Sequence, residues 1–339
     1  MQIMKTVILL HGEVSEDANR DEQDVLVQVD TVSRALTDLG FTPIAVPVSL
    51  NITHTIDTLH KIRPVFVFNL VESISGQGSL IHIAPAIMDS LKIPYTGAGT
   101  EATFLTSHKV LAKEFLLARG IATPHFLLPG TRQSDSFSAG TYIIKSIWEH
   151  ASSWLGDESI VFSEDPLHLS HTIAHRQEQL GIACYAEAFI EGREFNLSLL
   201  AGHCGPEVLP PAEIIFDDYP PGKYRVVDFR AKWVEDSFEY RHTPRRFDFP
   251  AEDEPLIEHL SEIALQCWHI FSLRGYARVD FRVDTSGKPW VLEVNTNPCL
   301  SPDGGFYAAV EQSGLSFHRA IERIIHDARK QMNGTTVPQ

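Results

Sequence analysis

The apolar residues of the first hundred positions come in two rhythms. Residues 6–10, 41–48 and 65–70 are compact apolar runs, the last bounded by Pro64, and each reads as a buried strand. Between the first two, Val25, Val29, Val32, Leu36 and Leu39 recur at helical spacing, and Gly40 follows as a stop. Residues 80–91 read as a further helix and residues 93–97 as a short strand entering a loop. This alternation predicts a parallel sheet with helices packed on it, an α/β domain over residues 1–100. Ligands of such sheets sit beyond the carboxyl ends of the strands, which points to His11-Gly12-Glu13 and Asn69-Leu70-Val71-Glu72. No Gly-x-Gly-x-x-Gly follows the first strand, so the usual dinucleotide fingerprint is missing.

The pattern then shifts to α+β. Residues 101–189 read as one block, with a helix over 107–119 that stops at Gly120 and strands over 142–145 and 184–190. Between those strands, residues 149–158 form a loop able to close over phosphates. Residues 190–331 read as a third block. It holds a strand over 194–200, a loop over 217–228 rich in Pro, Gly and Tyr, a helix over 256–271, a hairpin and a final helix over 317–329. Residues 332–339 read as a flexible tail.

The hairpin, residues 275–298, carries the clearest chemistry. Side chains two apart on a strand share a face. Arg278, Asp280 and Arg282 therefore lie together, and in the second strand so do Val291, Glu293 and Asn295, opposite Trp290, Leu292 and Val294. A symmetric turn at Thr285-Ser286-Gly287-Lys288 would set Asp280 across from Glu293 and Arg278 across from Asn295. Two opposed carboxylates repel in a sheet, whereas two carboxylates and an amide beside phosphates are hard-oxygen ligands for Mg²⁺. A solvated polar strand face has the same alternation, and pattern alone leaves both open.

Composition narrows the class. The chain has 339 residues, 43% hydrophobic and 21% charged, enough for two or three domains. A net charge of −16 argues against nucleic acid or an anionic membrane as partner. No apolar run approaches a membrane span, and the first residues read as a buried strand rather than a signal peptide, so the expected location is the cytoplasm. Cys184, Cys204, Cys267 and Cys299 show no metal or disulfide spacing and are expected as reduced thiols.

Arg-Val-Asp followed by a hairpin and Leu-Glu-Val-Asn-Thr-Asn-Pro resembles the metal-binding end of the ATP-grasp ligases, and within them the D-alanine–D-alanine ligase group. The likeness runs from about Pro64 to Asp327 with several motifs in the family's order. It implies an ATP-grasp fold in which the two later domains clasp ATP. It also implies that Asp280, Glu293 and Asn295 hold Mg²⁺, with Mn²⁺ as an allowed substitute, and that Arg278 stabilises a tetrahedral intermediate. Lys109 and Lys145 match phosphate-binding lysines, and Ser152 lies in the phosphate loop. In E-x-F-I-x-G-R-E-F, Glu187 and Ile190 match the adenine hinge and Glu194 the ribose contact. Lys232 matches a lysine that meets the γ-phosphate or the acyl phosphate.

Elsewhere the chain departs from the family's pattern. Only Glu13 or Glu16 follows strand one where the family grips an amine, and Glu72 is a further candidate at that end. The family's Glu-Gly-Ser-Ser is Glu149-His150-Ala151-Ser152 here, its network tyrosine aligns with Trp233, and its acceptor serine is replaced around Gly304-Gly305. His150, Trp233, Gly304, Gly305, Asp303 and Phe306 become candidate substrate residues. The expectation is an ATP-dependent carboxylate–amine ligase acting on small amino-acid-like molecules other than two D-alanines. A genuine D-alanine–D-alanine ligase and an ATP-binding regulator without turnover stand as alternatives. The oligomeric state is left open, a homodimer being one option.

Overall fold

The computed structural model describes residues 5–15, 18, 20–130, 137–148 and 155–330. Strand β1 (Thr6–Gly12) is central in a parallel sheet of order β2-β1-β3, with β2 at Thr42–Val48 and β3 at Val67–Asn69. Its apolar run is unbroken because both faces are covered. Val7 and Leu9 pack with Val32 and Leu36 of helix α1 (Arg20–Asp38). Ile8 and Leu10 enter a separate core with Leu59 of α2 (Ile52–Ile62) and Met88 of α3 (Ile83–Leu91). Helix α2 goes beyond what the apolar rhythm predicts; its local signal is Asn51, whose side chain accepts from the His54 amide at 3.3 Å. Residues 93–97 form no strand and contribute one bridge, Val67 to Tyr95.

The helix expected over 107–119 is α5 (Lys109–Ala118), and a further helix, α4 (Thr100–Ser107), precedes it. His108 between them has φ −86° and ψ 93°, and its Nδ1 accepts from the Leu111 amide at 3.1 Å. A side-chain acceptor at this position satisfies one of the free amides of a new helix, so the chain can turn cheaply here. Lys109 thereby becomes the first residue of α5. Ala112 and Leu116 of α5 pack into the core of the last sheet.

The second sheet is antiparallel, order β4-β7-β5-β6, from β4 (Phe126–Leu127), β5 (Gly140–Ser146), β6 (Ile160–Ser163) and β7 (Cys184–Ala188). Leu169 and Ile173 of α6 (Pro166–Leu180) cover it. That helix also exceeds the sequence expectation, although Asp165 caps it and Pro166 opens it. The third sheet has order β11-β10-β8-β12-β13, with β9 on β8. Its strands are β8 (Gly192–Ala201), β9 (Pro206–Val208), β10 (Ala212–Ile214), β11 (Arg245–Arg246), β12 (Tyr276–Asp284) and β13 (Pro289–Asn295). Gly192 has φ +148°, and a Cβ there would lie 2.0 Å from the Val283 carbonyl oxygen, so only glycine can start β8.

Two short helices, α7 (Phe229–Trp233) and α8 (Phe238–Arg241), precede β11, and α9 (Glu254–Ile270) backs the third sheet. Helices α10 (Gly305–Gln312) and α11 (Phe317–Lys330) then return to the first sheet, where Ile321 and Ile324 join Val7, Leu36, Leu200 and Tyr276 in one core.

The hairpin register places Arg278 opposite Asn295 and Asp280 opposite Glu293, as a symmetric turn requires. Beyond that point the symmetry fails: Phe281 pairs with Val291, leaving Leu292 as an extra residue. This bulge reverses the remaining faces of β13. Val291, expected beside Glu293, is buried instead with Val279, Phe281 and Val283, and Leu292 faces the same side as Glu293.

Candidate active site

A cavity of about 530 Å³ lies between the second and third sheets and reaches the first. That size is ordinary for a small-molecule site, roughly 300–1,000 Å³. Lys109 enters from the start of α5, Lys145 from β5, Glu187 from β7, and Ile190 from the connection to β8. Glu194 and Asn196 come from β8, Arg278, Asp280 and Arg282 from β12, and Glu293 and Asn295 from β13. Lys232 and Trp233 come from α7, Glu72 follows β3, and Gly304-Gly305 start α10. Not every expected residue is placed here. Ser152, His150 and Glu16, with Ala151, lie outside the described residues. Glu13 is exposed and does not line the cavity; its amide bonds the Val48 carbonyl at 3.0 Å, which continues the β1–β2 pairing and turns it away. Asp24 of α1 reaches the cavity instead. Phe306 is also not a lining residue: it is fully buried against Tyr276.

The charges are mutually engaged. Arg278 Nε and Nη2 donate to Asp280 at 2.7 and 2.9 Å, and Asn196 Nδ2 donates to Asp280 Oδ1 at 2.8 Å. Burial pushes the Asp280 carboxyl above its ordinary pKa, opposed by the Arg278 guanidinium. Glu293 lies 4.0 Å from Arg278 and 3.8 Å from Lys109. Burial lowers the Lys232 ammonium, and the Glu293 carboxylate works against that shift. Glu194 pairs with Arg282 at 2.9 Å. Glu187 is salt-bridged to Lys145 and to Lys113 and also accepts from the Tyr185 hydroxyl at 3.2 Å. Burial disfavours its charge, yet the two ammoniums win and hold its carboxyl down at about 2.

Among the described residues no group of three or more His, Cys, Asp or Glu side chains is arranged to hold a metal ion. The candidate set is two carboxylates and one amide, all hard oxygen donors on paired strands. Asp280 and Glu293 face each other directly, and Arg278 and Lys109 beside them offset their repulsion. Hard oxygen donors of this kind fit Mg²⁺ or Mn²⁺.

Apolar and charged patterning does not announce every lining residue. Asn196 is two residues from Glu194, so the strand period alone could have found it. Asp24 and Arg245 carry no such signal, because the sequence does not say which face of α1 or which end of β11 turns inward. Lys113, four residues after Lys109, pairs with Glu187 from behind the cavity wall, and the apolar stretch around it hides it.

The D-ala D-ala ligase C-terminus family model matches residues 167–326. A D-alanine–D-alanine ligase of Carboxydothermus hydrogenoformans is 30% identical over 307 residues, covering 87% of this chain and 90% of that protein. An uncharacterized protein of Sinorhizobium fredii is 28% identical over 273 residues, covering 80% of this chain and 76% of that protein. The solved D-alanine–D-alanine ligase of Bacillus anthracis complexed with ATP superimposes with a TM-score of 0.69 at 19% identity, covering 98% of this chain and all of that one; it shows a shared fold. Among the described residues no helix is long and apolar enough to cross a membrane. With sequence kinship over most of its length and a shared fold, the chain belongs to the D-alanine–D-alanine ligase family and is an ATP-grasp ligase.

Proposed function

We propose that this ligase joins a carboxylate to an amine through an acyl phosphate, on amino-acid-like substrates other than a pair of D-alanines. ATP lies with its base at the β7–β8 connection and its phosphates toward Lys145, Lys109 and the facing strands β12 and β13. Phosphoryl transfer needs alignment and charge neutralisation more than covalent help. Lys145 and Lys109 supply fixed positive charge for the phosphates, and Lys232 meets the group being transferred. Asp280, Glu293 and Asn295 hold a divalent cation, which when bound neutralises charge on the phosphoryl oxygens. In the first step the substrate carboxylate attacks the γ-phosphorus and ADP leaves. In the second, an amine attacks the acyl carbon and orthophosphate leaves. Arg278 faces the oxyanion of that second step; Asp280 fixes Nε and Nη2 of its guanidinium, which orients it before substrate arrives.

The observation that carries the substrate reading is the start of α10. A Cβ at Gly304 would lie 2.9 Å from the Ser301 carbonyl oxygen and 3.0 Å from that of Cys299, so no serine fits that backbone unaltered. The acceptor end therefore presents backbone groups beside Trp233 and Arg245 rather than a side-chain hydroxyl. Losing a polar anchor in a site built around one costs orders of magnitude in specificity. Kinship to ligases named for D-alanine favours the second reading, a genuine D-alanine–D-alanine ligase. One experiment decides: ATP hydrolysis with pooled amino acids and dipeptides, with mass spectrometry of the product. A mixed product supports the proposal. D-alanyl-D-alanine formed at kcat/KM above about 10⁴ M⁻¹s⁻¹ overturns it.

A further inference from the structure

Lys113 is 1% exposed, among the largest fully buried side chains of the molecule, and it does not line the cavity. A lone ammonium at that depth is strongly unfavourable unless it is paired and hydrogen-bonded. Both conditions are met. Nζ lies 2.9 Å from Glu187 Oε2 and donates to Thr123 Oγ1 at 2.8 Å. The Thr123 hydroxyl passes its own hydrogen to the Val291 carbonyl at 2.7 Å. The other Glu187 oxygen accepts from Lys145, which does face the cavity. One buried carboxylate thus sits between two ammoniums, one hidden and one presented.

The charge count gives this arrangement a purpose. Glu187 with Lys145 alone would be neutral, and Lys145 would have little left to offer an anion. With Lys113 the cluster is net positive by one, and the surplus appears at the cavity wall through Lys145. The Thr123–Val291 link ties the same cluster to β13, the strand that carries Glu293 and Asn295.

We propose that Lys113 is a positioning residue of the nucleotide end: it never meets ligand, and it acts by satisfying Glu187 so that Lys145 keeps its charge and its aim for a phosphate. This rests on the reading of the cavity as a nucleotide site. The test is calorimetric titration of the full chain with ADP in the presence of Mg²⁺. If the wild-type chain binds no ADP, that site reading fails, and this inference with it. If it binds, Lys113→Met should weaken ADP about tenfold or more, the loss expected for a charge-assisted contact. A merely structural role predicts the same factor in every background. A role exerted through Lys145 predicts that, once Lys145→Met is present, adding Lys113→Met costs no more than about twofold. Additive losses, or a folded Lys113→Met chain with unchanged affinity, overturn the inference. Should Lys113→Met fail to fold, Thr123→Val replaces it in the cycle. That change keeps the ammonium and removes its second partner, and a severalfold loss that disappears with Lys145→Met is the expected result; an additive loss or none refutes it.

Discussion

At the end of the cavity assigned to the nucleotide, charged side chains are already bonded to one another: Lys145 and Lys113 to Glu187, Arg278 to Asp280, Arg282 to Glu194. At the other end the wall includes Gly304 and Gly305, which offer backbone alone, beside Trp233 and Asp303. The first end is an ionic lattice in which each change disturbs several partners. The second joins two glycines and an indole to the Asp303 carboxylate, and replacing either glycine there alters shape rather than charge. Chemistry common to a family can be held by the lattice, while substrate choice can drift on the surface without unsettling it.

The sharpest way to break this contrast is to attack the lattice at its metal-facing carboxylate. Glu293→Gln keeps the shape and removes the charge, so turnover should fall beyond the roughly 100-fold typical even for groups one step from a metal. Circular dichroism should stay unchanged, and wild-type rates at ordinary Mg²⁺ would refute the assignment. Next, Lys145→Ala should weaken ATP binding by roughly 10- to 100-fold, measured by calorimetry without a second substrate. Unchanged affinity would remove Lys145 from the phosphate contacts.

At the other end the effects should be smaller and should split two adjacent glycines. Gly304→Ala pushes a methyl against two carbonyl oxygens and should cost about 1–3 kcal/mol of stability by denaturant titration. A Cβ at Gly305 meets nothing closer than Arg245 Nε at 3.7 Å, so Gly305→Ser should cost little stability and chiefly shift the preference among acceptors, read as kcat/KM ratios. Equal costs at the two positions would mean the start of α10 is not as tight as drawn.

The smallest effect is on pH dependence. Glu187 is held at about 2 in the folded chain against 4.5 ordinarily. Its contribution to stability is therefore complete above the ordinary value and lost as pH falls from there toward 2. The difference in thermal midpoint between wild type and Glu187→Gln should stay constant above about pH 5 and shrink below it. A gap that widens in acid would contradict the pairing.

The same contrast governs what could be read from sequence. On β12 the face carrying Arg278, Asp280 and Arg282 was legible, because strand period two is a local rule. The bulge at Leu292 was not, since Val291 and Leu292 are both apolar and suit either face. Helix α4 went unread, because its apolar and polar residues show little one-sided spacing and the nitrogen that caps α5 after it belongs to a residue type with no strong capping signature. Strand β1 ends at Gly12, close to where its apolar run stops, but Glu13 then follows the sheet edge rather than the cavity. Asp24 reaches the cavity held by the Ser301 hydroxyl, which donates to it at 2.8 Å from far along the chain, a contact no local pattern encodes.

The core shared by α11, β1 and the third sheet bears on the order in which the molecule is made. Val7, Leu9 and Leu36 emerge during synthesis well before Tyr276, Ile321 and Ile324, which share their core. Helix α1 alone covers that face of the first sheet until those later segments arrive, so part of it stays apolar and uncovered in the interval. Contacts so distant in sequence are slow to form, and the interval is when such a face is most prone to stick to other chains.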